Sequence, residues 1–212
     1  MKMISITVIS IVTILIVGAT LTSRAPAKVE KNVDAPSASS ARDANPKTPS
    51  PTAVQSSHTI RVEHVRLVSG RRFAEVRQRL EEAVPILDPK IADELRNGDK
   101  QRVTALQTKG PKLSIFLVRD HGSLLQLFGG KREALQYEIG NPVTASTMVR
   151  YQRPAALYAP LRVVLFADEQ GRGVFEYDRP SSFLGQFGDP RVAKVGRDLD
   201  TELNDVLRRA AK

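Results

Sequence analysis

Cysteine and tryptophan are absent from the 212 residues, histidine occurs three times, and aromatic side chains make up only 5% of the chain. Without cysteine there can be no disulfide framework, thiolate metal site, thiol nucleophile or lipidated N-terminal cysteine. The three histidines, His58, His64 and His121, are few for an imidazole cluster, and no ligand pair shows helical or turn spacing, so neither metal nor cofactor is expected. A dense Lys/Arg block is missing as well. The net charge of +9 divides into +3 over residues 1–57 and +6 over residues 58–212, a diffuse excess that fits solubility better than nucleic-acid binding. With 41% hydrophobic and 26% charged residues the composition is that of an ordinary globular chain. Disorder throughout, a polytopic membrane protein and a fibrous repeat are excluded.

Charge is lacking altogether between Met3 and Thr22, twenty residues that would span about 30 Å as a helix, one hydrocarbon thickness. This N-terminal segment is expected to enter a membrane, as an uncleaved anchor or a cleaved signal. Val17-Gly18-Ala19 and Ala25-Pro26-Ala27 offer small residues for cleavage, and the anchor is favoured. Arg24, Lys28 and Lys31 argue for a cytoplasmic C-terminal side, whereas the very short N-terminal tail argues for export, which is the expectation adopted. Residues 24–57 hold five of the thirteen prolines and none of the eleven aromatics. They read as a disordered Pro/Ala/Ser linker that cannot build a core, and set a domain boundary near His58. The expected organisation is therefore 1–23 anchor or signal, 24–57 linker and 58–212 folded domain.

Within the domain, residues 58–68 alternate before slipping phase, as in a strand with a bulge, and Ser69 is placed to cap the next element. Phe73, Val76, Leu80 and Val84 then fall at helical spacing. Asp88-Pro89 opens a second helix, stopped at Asn97-Gly98. The apolar run Lys112–Val118 suggests a central strand, Ser123–Phe128 a short helix after Asp120, and Lys131–Ile139 another strand. Asn141-Pro142 caps a helix containing Met148; Leu161–Phe166 and Gly173–Tyr177 form a hairpin; Asp189-Pro190 caps a last helix with Val192, Val195, Leu199, Leu203, Val206 and Ala210 on one face. The order predicts an α+β fold, an antiparallel sheet with helices packed on one face.

The stretch from Leu113 to Phe187, through its Gly140-Asn141-Pro142 turn, its Tyr158-Ala159-Pro160-Leu161-Arg162 approach to a strand and its hairpin leading to Glu176-Tyr177-Asp178, resembles the domain of unknown function 302 family. The resemblance implies a TATA-binding-protein-like fold, β-α-β-β-β-β-α with added helices, often paired as a homodimer. It implies no reaction. The tethering segment, an insertion around Ile86–Thr108 and the long helix after Asp189 depart from the plain family pattern.

Five polar residues are candidates for a ligand site: Asp120, His121, Asn141, Tyr158 and Arg162. Asp120 beside His121 fits either a helix cap with a turn residue or a proton-transfer pair. Asn141 caps a helix whose N-terminus could also attract an anion, with Arg162 and Arg150 as sources of charge. Tyr158 and Met148 read as core or pocket wall, and Gly171-Arg172-Gly173 as a hairpin turn with no phosphate-loop context. No Gly-x-Ser-x-Gly turn accompanies Ser114 or Ser123, and no catalytic residue is assigned. The expectation is a membrane-tethered, extracytoplasmic, non-enzymatic domain that binds or senses a small molecule in a mostly apolar cavity rimmed by His121, Asn141, Tyr158 and Arg162. A hydrolase or isomerase using His121 with Asp120 is the alternative, and a structural homodimer at the envelope is the second.

Overall fold

A computed structural model describes residues 53–130 and 133–212. The chain divides between Val54 and Gln55 into two units, and the architecture that follows is that of the second. The Met3–Thr22 segment and nearly all of the 24–57 linker lie outside the described residues. Among those described, no helix is long and apolar enough to cross a membrane.

Five strands, β1 (His64–Arg72), β2 (Ser114–Asp120), β3 (Ala134–Gly140), β4 (Leu161–Ala167) and β5 (Arg172–Asp178), form one sheet in the order β1-β5-β4-β3-β2. Every neighbouring pair is antiparallel. Successive side chains of a strand point to opposite faces. One face accordingly collects the buried Leu135, Tyr137 and Ile139 of β3, Leu161, Val163 and Leu165 of β4, and Phe175 and Tyr177 of β5. The other carries Gln136, Glu138, Arg162, Val164, Phe166, Glu176 and Arg66, all half-buried or exposed, together with the buried Val174.

Two amphipathic helices cover the apolar face. In α1 (Phe73–Ala83), Phe73, Val76 and Leu80 are buried at intervals of three and four, the spacing that keeps side chains on one side of a helix. Gly173 lets α1 approach β5, because a Cβ there would fall 2.8 Å from Val76 Cγ2. The long α7 (Pro190–Ala211) starts at Asp189, whose side chain accepts from the Arg191 amide, with Pro190 in the first turn where its missing N–H costs nothing. Its Val192, Leu199, Leu203, Val206, Leu207 and Ala210 enter the core. The last carbonyls of α7 are held from β1 and α1: Ser69 Oγ donates to Ala211 (2.6 Å), Arg71 Nε to Lys212, and Arg79 Nη2 to Arg209 (3.2 Å). Two guanidiniums there also oppose the negative end of the helix dipole. The fold is α+β, an antiparallel sheet with its principal helices on one side.

Local expectations fail at three places. The first strand starts at His64 and runs through Ser69, which is buried inside it instead of capping α1; its hydroxyl is spent on the end of α7. The apolar run in β2 is at the edge of the sheet, not its centre. Its phase breaks between Ile115 and Leu117, leaving Phe116 36% and Leu117 42% exposed, while Ile115 is sheltered by an isolated parallel bridge to Ile86. Thirdly, the expected helix α2 (Lys90–Arg96) is followed by an unexpected one, α3 (Lys100–Lys109), capped by Asp99 Oδ1 accepting from the Arg102 amide at 2.9 Å.

Candidate functional site

The two ends of the sheet differ in chemistry. At one end β3 stops at Gly140 and helix α5 (Pro142–Val149) begins, with β4 entering beside it from Tyr158-Ala159-Pro160. The Ala159–Pro160 peptide is cis. These segments enclose a cavity of about 280 Å³. Its walls are Gly140, Asn141 and Pro142 from the turn, Thr144, Ala145 and Met148 from α5, Tyr158 to Leu161 from the approach to β4, Phe116 from β2 and Leu199 from α7. Tyr158 is the only ionisable residue among them. A Cβ at Gly140 would lie 3.6–3.7 Å from Phe116 and Pro160, ordinary contact distance from two of the cavity's walls.

Asn141 is held by four hydrogen bonds. Its Oδ1 accepts from the amides of Val143 (2.9 Å) and Thr144 (3.1 Å), its carbonyl accepts from Ala145 (2.9 Å), and its Nδ2 donates to Pro111 O (3.1 Å). Since Pro142 has no N–H, the first turn of α5 leaves no free amide for an anion. The same side chain anchors the loop that returns from α3 to β2. Tyr158 is held from the other side: its ring stacks on Phe183 with centroids 4.8 Å apart, and its hydroxyl accepts from Gln186 Nε2 at 2.9 Å. Gln186 Oε1 in turn lies 3.2 Å from His58 Nε2.

Asp120 and His121 lie at the opposite end. The register pairs Ser114 with Gly140 but Asp120 with Leu135, which puts a full strand length between Asp120 and the cavity. Asp120 caps helix α4 (His121–Leu125): its Oδ1 accepts from the Ser123 amide at 2.9 Å and its Oδ2 from the Ser123 hydroxyl. Those bonds hold its carboxyl below the usual range. With both oxygens on Ser123, and no hydrogen bond to the exposed His121 among the described residues, the pair lacks the base-to-orienter contact that proton transfer needs. Arg162 follows the cavity-lining Leu161 but projects from the other face of the sheet, where it is exposed. Arg150 lies over the Tyr151 ring, its guanidinium carbon 4.4 Å from the centroid. Of the five candidates, only Asn141 and Tyr158 meet at one site.

Beside α4 is a broad open hollow of about 870 Å³ with Asp120, Glu133, Asp168 and Glu169 on its walls. Asp168 organises the β4–β5 turn, accepting from the amides of Gln170 and Arg172 and from Arg172 Nε. Among the described residues no three His, Asp or Glu side chains stand where they could hold a metal ion. His64 bridges Asp178 (2.9 Å) and Glu176 (3.4 Å) on the outer face of the sheet, away from His58 and His121.

The family model described as "Domain of unknown function DUF302" matches residues 100–210, just over half of the chain. The chain belongs to the DUF302 family. The match begins at α3, so β1, α1 and α2 precede it even though β1 pairs with β5. A crystal structure of an uncharacterised conserved DUF302 protein from Bacillus stearothermophilus aligns with a TM-score of 0.51 at 17% identity, covering 69% of this chain and 97% of that one. That likeness supports the fold of the DUF302 domain and nothing about its chemistry. No curated protein matches the chain. Asn141 and Tyr158 of the DUF302 domain were legible as a cap and a wall; Phe116, Ala145 and Leu199 were not singled out as site residues. The one signal for Leu199 was its place on the apolar face of α7.

Proposed function

We propose that the DUF302 domain binds a small, uncharged, mainly apolar molecule in the cavity between the Gly140-Asn141-Pro142 turn and α7. The observation that carries this reading is the lining: about 280 Å³ of space with no charged side chain on its walls. A charged ligand would lose its hydration there without a partner, whereas an apolar one loses only water that hydrogen-bonds poorly to Phe116, Met148, Leu161 and Leu199. At interior packing density the space accommodates about a dozen non-hydrogen atoms. The charge-free Met3–Thr22 segment supports a further part of the proposal, a membrane-tethered domain on the extracytoplasmic side. The strand and helix order supports reading the core as a TATA-binding-protein-like β-α-β-β-β-β-α arrangement.

Ligand-observed NMR on the detergent-solubilised full chain tests the site. Neutral aromatic and short aliphatic probes should bind, carboxylates and phosphates should not, and Gly140→Val, which adds bulk between two of the cavity's walls, Phe116 and Pro160, should abolish binding. Binding that survives Gly140→Val, or a preference for anions, refutes the reading. One observation favours a structural homodimer as a second reading. On the outer face of the sheet Val68 and Leu117 are more than 40% exposed. Light scattering on the wild type and on Val68→Lys distinguishes it.

A further inference from the structure

The segment that bounds the acidic hollow is amphipathic in the wrong sense for a soluble surface. Residues 121–128 form α4 and a 3-10 turn, Gln126–Phe128, and of these Gly122, Ser123 and Gln126 face the hollow. The apolar side is turned outward: Leu124 is 58%, Leu127 80% and Phe128 86% exposed. Gly129, at φ 78°, ends the turn just after Leu127 and Phe128, the most exposed apolar side chains of this tip. An amphipathic turn normally hides its apolar side against the sheet, and three large apolar side chains exposed within five residues mark a surface that meets another phase or partner.

We propose that this tip inserts into the acyl region of a phospholipid bilayer. The proposal rests on the membrane-tethered reading given above. Two observations favour a lipid over a protein partner. Met3–Thr22 supplies the chain with a segment long enough to keep the domain beside a bilayer. The reach also suffices: the tip lies at the end of the sheet away from His64, a strand length of about 30 Å, and a linker of some thirty residues extends up to about 100 Å.

Because the chain contains no cysteine, Leu127→Cys gives one attachment point for an environment-sensitive fluorophore on a side chain outside the core. The labelled full chain is reconstituted in phosphatidylcholine vesicles with and without brominated acyl chains, and Gln101→Cys, on the exposed side of α3, is the control. The label at 127 should be quenched several-fold more than that at 101, and adding Leu124→Ser and Phe128→Ser should remove the difference. Equal, weak quenching at both positions overturns the proposal. So does a blue shift at 127 that follows protein density without bromolipid quenching, which would assign the tip to a second copy. Co-sedimentation with the vesicles, read on the same samples, reports separately on Met3–Thr22: sedimentation with an unquenched tip leaves the tether standing and the insertion refuted, and no sedimentation with no quenching refutes both.

Discussion

Truncating two leucines one turn apart on α7 tests both the packing of that helix and the existence of the cavity. Leu203 is fully buried, whereas Leu199, 4% exposed, forms part of the cavity wall. Replacing Leu203 by Ala removes three carbon atoms from the core, about 2.4 kcal/mol of transfer free energy at roughly 0.8 kcal/mol per carbon. A residual void of about 60–80 Å³ at 24 cal/mol per Å³ adds between 1 and 2 kcal/mol, for a total of about 4 kcal/mol. Leu199→Ala loses the same transfer term. Its methyl groups already lack neighbours on the cavity side, so less packing energy disappears and the cost should be about 2.5 kcal/mol. Urea unfolding of Gln55–Lys212, with common slopes for the three proteins, resolves a difference of that size. A cost below about 1 kcal/mol for Leu203→Ala would show that α7 is an appended helix instead of core. A cost for Leu199→Ala equal to or above that for Leu203→Ala would refute an open cavity at its side chain.

Three further outcomes are expected. Removing residues 1–54 should leave the melting temperature of the domain unchanged, as scanning calorimetry would show, because every core residue among those described lies beyond Val54. At Asn141, Asp and Ser should keep the α5 cap but lose the donor to Pro111 O, costing about 0.5–1.5 kcal/mol, while Ala should lose both and cost more; hydrogen exchange at Lys112 should quicken in all three. The hydrogen bond to Asp178, aided by Glu176, raises the His64 pKa above 6.5 in the folded state. The stabilisation from His64 is thus full below 6.5 and lost as pH rises through the folded-state value, so His64→Gln should be more destabilising at pH 5.5 than at pH 8.5. Chemical unfolding at the two pH values checks the sign.

What the sequence revealed of this fold was what depends on near neighbours. Asp189-Pro190 and Asn141-Pro142 announce α7 and α5 because a cap and the proline beside it act within one turn, and the leucines of α7 repeat at 3.6 residues because one face is buried. Helix α3 was invisible for the converse reason: none of its residues is buried, so no apolar stripe marks it. The β2 run looked central because edge and centre are decided by strand order, which local hydrophobicity does not encode. The candidate site was half legible on the same grounds. Asn141 and Tyr158 sit in motifs that stand out locally, but the cavity exists because Leu199 reaches it from α7; nothing near Asp120 told that it would lie at the far end, whereas Arg162, alternating with Leu161 and Val163, already marked itself as facing the other way.

The pairing of β1 with β5 has a consequence for how the chain comes to be folded. The first strand of the domain has no other strand beside it, and His64 meets Asp178, 114 residues further on. During synthesis or passage through a pore, Val65 and Leu67 remain without their shelter until Arg172–Asp178 has emerged, and the end of α7 reaches Ser69 and Arg79 later still. Closing so long a loop costs entropy before any contact repays it. The domain is therefore completed where it began, and a nascent chain that stops short of β5 carries an unpaired strand edge open to other chains.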